Sequence, residues 1–241
     1  MEGPIVPRSD AKKHLAVIHP FLTRAFAATV AVLVAAVVGC GKGSANPSGG
    51  SEAAATVDSG AQTPGPPKKR DLEHPVVKIE TTAGAITVKL DAVRAPGTTR
   101  NFLNYVDDKF YDDTLVHFVE PGKMIVAGGY AADRSPKPAR GAIRNEAHNG
   151  AKNARGTIAM ARDRAVIDSS TSQFFINLAD APSRDYTGDT PEQYGYCVFG
   201  EVTDGLDVAD KISKSSTADQ GGDLAQTPDP PVSIKTMRVV Q

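Results

Sequence analysis

The chain has 241 residues, of which 40% are hydrophobic and 23% are charged, and its formal net charge is −1. These proportions are typical of a globular protein with one or two domains. The near-neutral charge argues against a nucleic-acid partner, because proteins that bind phosphate backbones usually carry a basic surplus or a basic stripe. We therefore expect a folded protein that does not bind nucleic acid.

Residues 1–39 have the pattern of an export signal. Lys12 and Lys13 precede an uncharged apolar run at 25–38, which is shorter than the roughly 20 residues that a membrane span requires. The run leads into VVGC, which resembles a bacterial lipobox, and that resemblance implies cleavage before Cys40 and diacylation of its thiol. An ordinary secretory signal, or an uncleaved anchor with an incidental cysteine, is the alternative.

Residues 40–74 are predicted to be a flexible linker, because they are rich in Gly, Ser, Ala and Pro and poor in large apolar side chains. A lipidated Cys40 would then tether a folded domain at 75–241 to a membrane of the cell envelope. Gly41 after the cysteine favours the outer membrane, on the periplasmic side, by analogy with the common sorting pattern. Cys197 would have no disulfide partner, and its apolar surroundings in the sequence predict a buried, unreactive thiol.

The hydrophobic pattern from residue 75 onwards predicts a mainly β domain. HPVVKIETTAGAITVKL alternates with a period of two on both sides of Gly84, which predicts a β-hairpin. PVSIKTMRVV predicts a strand that closes the chain. Further strands are predicted at 114–119, 123–127, 156–161, 172–178 and 196–202.

Two segments have helical periodicity instead. APGTTRNFLNYVDDKFY places apolar residues three and four positions apart, which predicts a helix with Thr98 or Thr99 as its N-cap and Pro96 just upstream. DGLDVADKI predicts a second, shorter helix. About eight strands and two helices, separated by Gly/Pro loops, predict a closed antiparallel barrel, because closure leaves no exposed strand edge.

Four motifs occur in an order and at a spacing that are found together in one family: APGTTRNFLNYVDDKFYDDTLVH, NEAHNGAKNARGTIAMAR, SQFFINL and GYCVFGEVTDGLDVADKI. They resemble the bacterial branch of the cyclophilin-type peptidyl-prolyl isomerases. The resemblance implies an eight-stranded antiparallel barrel capped by two α-helices, with a proline-binding pocket on its outer face. It also implies catalysed rotation about X–Pro amides, which breaks no bond, so we expect no metal and no other cofactor.

The family assigns the main catalytic role to an arginine that follows the histidine of an F-H-R strand and hydrogen-bonds the prolyl nitrogen. The matching residues here are Val116, His117 and Phe118, so phenylalanine occupies the arginine position. Lys123 replaces a pocket aromatic, and Val126 replaces a glutamine. No residue is therefore assigned to catalysis, and reduced turnover is predicted, because a preorganised donor contributes about 10²–10³ in rate.

Three other cations are candidates to replace the missing arginine. Lys123, Arg162 and Arg184 fall at family positions that line the groove, although a solvated surface charge is the simpler interpretation of each. His117 is in principle a candidate base, but a strand histidine beside apolar residues is more often structural. By resemblance, the residues expected to bind substrate are His117, Met124, Ala161, Arg162, Gln173, Phe175 and Tyr196.

Two functions therefore remain open. The first is a lipid-anchored isomerase of reduced activity that assists the folding of envelope proteins. The second is a catalytically weak cyclophilin-like module that binds Pro-containing segments or a protein partner. A monomer is expected in either case, and the histidines show no spacing typical of metal ligands.

Overall fold

The computed structural model describes residues 71–240. The signal peptide predicted at 1–39, with Cys40, and most of the linker predicted at 40–74 lie outside the described residues. Within 71–240, no helix is both long and apolar enough to cross a membrane. The described residues include 75–240 of the domain expected at 75–241.

The described chain is dominated by antiparallel strands, which we number in sequence order. They are β1 (Val76–Thr81), β2 (Gly84–Leu90), β3 (Thr114–Glu120), β4 (Met124–Ala131), β5 (Thr157–Met160), β6 (Phe174–Asn177), β7 (Val198–Asp204), β8 (Thr217–Ala218), β9 (Thr227–Pro228) and β10 (Ser233–Val239). Eight of them close into a barrel in the order β1-β10-β3-β4-β6-β5-β7-β2, while β8 and β9 pair separately. The predicted closed eight-stranded barrel is confirmed.

Two strands, β5 and β6, are shorter than the predicted segments 156–161 and 172–178. β5 and β6 each contain four residues, so the segments 161–173 and 178–197 are connections rather than strand. The first connection joins β5 to β6, and the second joins β6 to β7.

Two α-helices are present where they were predicted: α1 (Pro96–Asp107) and α2 (Leu206–Ser213). Each buries one apolar side, which is typical of a helix that packs on a sheet. Phe102 of α1 is fully buried, and its ring lies 5.3, 5.4 and 5.1 Å from the rings of Tyr111, Phe174 and Phe199. This aromatic group joins α1 to the barrel core.

The predicted N-cap of α1 is wrong. The helix begins at Pro96 with Ala95 as its N-cap, and both Thr98 and Thr99 lie within its first turn. Proline suits the first helical position because it has no N–H to satisfy and its φ is already helical. The carboxylate of Glu146 accepts hydrogen bonds from the N–H groups of Gly97 and Thr98, at 3.1 and 2.8 Å. The side chain of Glu146, which is distant in the sequence, therefore caps α1 in place of the expected threonine.

The predictions for the hairpin and for Cys197 are confirmed. In the β1–β2 hairpin, Ile79 pairs with Ile86, and both are buried in the core. Cys197 is a free thiol with 1% exposure, and its Sγ lies 3.4 Å from the hydroxyl of Thr98. Burial raises the pKa of this thiol to about 12, so the reactive thiolate is scarce at neutral pH.

Candidate active site

A row of apolar side chains crosses the outer face of the barrel. Successive pairs in the sheet register join Phe118 of β3 to Val126 of β4, Val126 to Phe175 of β6, Phe175 to Ala159 of β5, and Ala159 to Val198 of β7. Side chains alternate between the two faces of a strand, so the neighbouring residues point into the barrel core. The row is therefore separate from the core, and three of its members, Ala159, Phe175 and Val198, form a second buried apolar cluster.

Four of the predicted substrate-binding residues lie together at this row. Met124, Ala161 and Tyr196 are half-buried and pack in one cluster with Phe175, which is 3% exposed. The rings of Phe175 and Tyr196 meet edge to face, with centroids 5.6 Å apart and an interplanar angle of 82°. Phe175 is thus the floor of the cluster, and the other three side chains surround it.

A polar row runs beside the apolar one. Glu120 of β3 pairs with Met124 of β4, which in turn pairs with Asn177 of β6. Sequence reasoning missed Glu120 and Asn177 as site residues. The signal was present, because each lies two positions after a residue of the apolar row, Phe118 or Phe175, and so shares its face of the strand.

Arg184 extends over both rows from the 3₁₀ turn Pro182–Arg184. Its guanidinium carbon lies 5.6 Å from the centre of the Phe175 ring, within the range of a cation–π contact. Its Nη1 donates to Asn177 Oδ1 at 3.3 Å, and its Nη2 lies 3.7 Å from Glu120 Oε2. The side chain is only 22% exposed, so the expectation of a solvated surface charge is wrong for Arg184.

Arg162 is also not a solvated charge, since it is 5% exposed. Its Nε donates to the carbonyl of Gly195 at 2.7 Å, and both Nη atoms donate to further main-chain carbonyls. Its guanidinium carbon lies 5.1 Å from the ring centre of Tyr196. Burial lowers the pKa of this guanidinium from its usual value. Arg162 thus holds the loop and the ring of Tyr196 in place, with its donors already used.

Lys123 differs from these two arginines. Its side chain is 63% exposed, and its Nζ lies 2.6 Å from Glu120 Oε1. This agrees with the expected surface charge, and exposed ion pairs of this kind contribute little to stability. Of the three candidate cations, Arg184 is the one in contact with the floor of the apolar cluster.

His117 lies on β3 beside the apolar row, but it is 2% exposed. Its ring is 4.9 Å from that of Tyr130, whose hydroxyl donates to Asp223 at 2.9 Å. Desolvation lowers the pKa of His117 from 6.5 to about 4, although the Asp223 charge and a hydrogen bond with Gln173 oppose the shift. Gly129 leaves room for Gln173, since a Cβ there would lie 2.7 Å from the Gln173 amide carbon. His117 is therefore neutral at pH 7 and supplies no cation.

The arrangement can hold an apolar ring against Phe175 while a nearby guanidinium hydrogen-bonds a carbonyl or an amide nitrogen. Within residues 71–240, no group of three or more His, Cys, Asp or Glu side chains is placed to hold a metal ion. The site offers apolar surface, hydrogen bonds and charge, which are sufficient for chemistry that breaks no covalent bond.

Comparisons with known proteins point to one family. The sequence model of the family "Cyclophilin type peptidyl-prolyl cis-trans isomerase/CLD" matches residues 76–239. Peptidyl-prolyl cis-trans isomerase A of Dickeya dadantii (strain 3937) is 41% identical over 165 residues, which cover 68% of this chain and 84% of that protein. Peptidyl-prolyl cis-trans isomerase B of Escherichia coli (strain K12) is 44% identical over 146 residues, or 61% of this chain and 88% of that protein.

A third relative is matched almost end to end. Peptidyl-prolyl cis-trans isomerase cyp18 of Streptomyces antibioticus is 40% identical over 164 residues, which cover 68% of this chain and 98% of that protein. A crystal structure of a Cryptosporidium parvum cyclophilin type peptidyl-prolyl cis-trans isomerase, in the presence of the dipeptide Ala-Pro, has a TM-score of 0.58 at 22% identity. The match covers 69% of this chain and 99% of that chain, and supports the fold alone.

Proposed function

The chain belongs to the cyclophilin-type peptidyl-prolyl cis-trans isomerase family, and we propose that it isomerises X–Pro bonds with reduced turnover. We further propose that it does so in the cell envelope, as a monomer anchored by a lipid on Cys40, and assists the folding of envelope proteins. The observation that carries reduced turnover is the pair formed by Phe118 and Val126 on the outer face of the barrel.

Isomerisation requires the X–Pro amide to lose its partial double-bond character, against a barrier of about 18–20 kcal/mol. An apolar surface that holds the proline ring and a donor that hydrogen-bonds the prolyl nitrogen both favour the twisted amide. The apolar row supplies the surface. At the arginine and glutamine positions of the family, however, Phe118 and Val126 have no side-chain donors, and loss of one preorganised donor costs about 10²–10³ in rate.

The proposal for the envelope rests on the sequence before the barrel. A basic segment, an apolar run at 25–38, the VVGC motif and a Gly/Ser/Pro-rich linker follow in the order typical of an exported lipoprotein. Gly41 favours the outer membrane, facing the periplasm. Proline-containing segments of other envelope proteins would then be the substrates.

A second candidate function is that of a binding module, which binds Pro-containing segments without isomerising their X–Pro bonds. The same cross-strand pair supports it, because Phe118 and Val126 enlarge the apolar surface while removing polar groups from it. Binding alone needs the apolar row and no donor at the prolyl nitrogen. Rate measurements therefore separate the two functions.

The domain at 71–241 is suitable for this test, because its barrel is closed around its own core and the Streptomyces relative consists almost entirely of this region. We would measure NMR exchange between the cis and trans signals of a short Ala-Pro peptide, with the wild-type domain and with Phe118→Arg. Val93→Arg is the matched control, since it adds the same side chain at a residue that is 64% exposed.

The expected result is weak acceleration by the wild-type domain and at least ~10-fold greater kcat/KM for Phe118→Arg, with no gain for Val93→Arg. Chemical-shift changes that show peptide binding without any acceleration by the wild-type domain would support the binding module instead. Binding by Phe118→Arg without a gain in rate would mean that loss of the arginine is not the main defect.

A further inference from the structure

We propose that Arg184 is the catalytic cation of this enzyme, and that it partly replaces the arginine missing from β3. The inference rests on the isomerase function proposed above and names the group that carries the remaining turnover. Arg184 would donate a hydrogen bond to the X–Pro amide as that amide rotates. No covalent bond is formed or broken, so no co-reactant is required.

Arg184 lies over the apolar cluster. Its guanidinium carbon is 5.6 Å from the centre of the Phe175 ring, and Phe175 is the floor of the apolar cluster. A proline ring packed on that floor would occupy the space next to the guanidinium or displace it sideways. In either arrangement the guanidinium would remain beside Phe175, with its N–H groups within reach of the prolyl amide.

Arg184 also reaches β3. The Arg184 guanidinium also contacts Glu120, at 3.7 Å between Nη2 and Oε2. Glu120 and Phe118 are two residues apart on β3, so their side chains leave the strand on the same face, about 7 Å apart along it. The connection 178–197 thus places the Arg184 guanidinium near the part of β3 where Phe118 occupies the arginine position.

The hydrogen bonding of Arg184 differs from that of Arg162. Within residues 71–240, its guanidinium makes one hydrogen bond, from Nη1 to Asn177 Oδ1 at 3.3 Å. Arg162, in contrast, donates from Nε and from both Nη atoms to main-chain carbonyls. A guanidinium has five N–H donors, so Arg184 retains donors for a substrate whereas those of Arg162 are engaged.

The loose attachment also permits substrate entry. Phe175 is 3% exposed and the Arg184 guanidinium is one of the groups that cover its ring, so movement of this side chain would open the ring face to a proline ring. The main chain of Arg184 stays fixed meanwhile, because its carbonyl accepts hydrogen bonds from the N–H of Tyr196 at 2.9 Å and from Asn153 Nδ2 at 2.9 Å. The displaced guanidinium would remain at the rim, beside the bound amide.

The test compares Arg184→Leu and Arg184→Lys with the wild-type domain at 71–241, using Ala-Pro peptide exchange over a range of peptide concentrations. Arg140→Leu is the matched control. Arg140 also lies over an aromatic ring, 5.2 Å from the centre of Tyr105, and pairs with a carboxylate, that of Asp108, but it is outside the apolar row. Backbone amide spectra of each variant verify that the barrel is folded.

Arg184→Leu is expected to lower kcat/KM at least ~10-fold, mainly through kcat, because the lost interaction strengthens in the transition state. Arg184→Lys should retain part of the activity, since lysine keeps the charge without the planar fork. Arg140→Leu should stay within about 2-fold of wild type. In a Phe118→Arg background, the loss caused by Arg184→Leu should nearly disappear, because the donor is supplied from β3.

Results that contradict the role of Arg184 can be distinguished from a result that also contradicts the isomerase function. An active wild-type domain with an equally active or faster Arg184→Leu variant would overturn the role of Arg184 and leave the isomerase function intact; a faster variant would mean that Arg184 merely covers Phe175. An equal loss from Arg184→Leu with and without Phe118→Arg would also overturn it, by showing a structural effect. A wild-type domain that does not accelerate exchange would overturn both proposals.

Discussion

The carboxylate of Glu146 accepts hydrogen bonds from both the backbone N–H and the hydroxyl of Thr98, at 2.8 and 2.7 Å. Glu146 lies 48 residues after Thr98 in the chain, just before the 3₁₀ turn Ala147–Asn149. It joins the start of α1 to the segment that precedes β5. A negative charge at this position also suits the positive end of the helix dipole.

We predict that Glu146→Ala lowers the free energy of unfolding by ~1–2 kcal/mol, because it leaves the first N–H groups of α1 and the buried Thr98 hydroxyl without their acceptor. Urea denaturation of the domain at 71–241 measures the change. Glu201→Ala, at an exposed glutamate of β7, is the control and should change stability by less than about 0.5 kcal/mol. Equal stabilities of the two variants would contradict the capping role.

The buried His117 predicts a particular dependence of stability on pH. The unfolded chain takes up a proton near the usual pKa of 6.5, whereas the folded protein does so only near the lowered pKa of about 4. The unfolded state therefore binds more protons between these values, and stability falls as pH decreases through this window. Between pH 7 and pH 5 the contribution of His117 amounts to ~2 kcal/mol.

We predict that His117→Gln removes this contribution. Urea denaturation at several pH values should show a stability loss towards pH 5 that is smaller in the variant than in the wild-type domain. All other titratable groups are shared by the two proteins, so the difference between the two curves isolates His117. Parallel curves would show that His117 keeps an ordinary pKa in the folded state.

Cys197 is predicted to be inert in the native domain. Its burial and its raised pKa of about 12 both keep the thiolate fraction low and inaccessible. A colourimetric thiol reagent added to the domain at 71–241, which contains this cysteine and no other, should react only after denaturation in urea. Rapid stoichiometric reaction of the native domain would contradict the prediction.

Lipidation of Cys40 is predicted for the full chain expressed in a bacterial host. Intact-mass and peptide mass spectrometry of protein taken from the membrane fraction should show a mature N-terminus at an acylated Cys40. Cys40→Ser, which has no thiol to acylate, is the control and should lack the lipid mass. A mature protein that begins elsewhere, with an unmodified Cys40, would overturn the anchor.

Much of the barrel could be predicted from local sequence patterns. The period of two placed Ile79 and Ile86 in the core, and helical spacing located both α1 and α2. These patterns succeed because burial on one side of a strand or helix depends on residues that are close in sequence. Phe175, in contrast, was expected at the site only because SQFFINL resembles a family motif, and the structure shows that its neighbours on β6 pair within the same sheet.

The contacts of the polar residues could not be predicted in the same way. The sequence alone indicated an apolar pocket without its arginine. It favoured a surface charge for both Arg162 and Arg184, and the family resemblance placed only Arg162 among the expected substrate-binding residues. Only the closed barrel brings the loop 178–197 back across β6, so that Arg184 lies over Phe175 while Arg162 reaches the carbonyl of Gly195. A side chain's hydrogen-bond partners depend on which distant segments meet, so the tertiary structure decided which of the two arginines keeps donors free for a substrate.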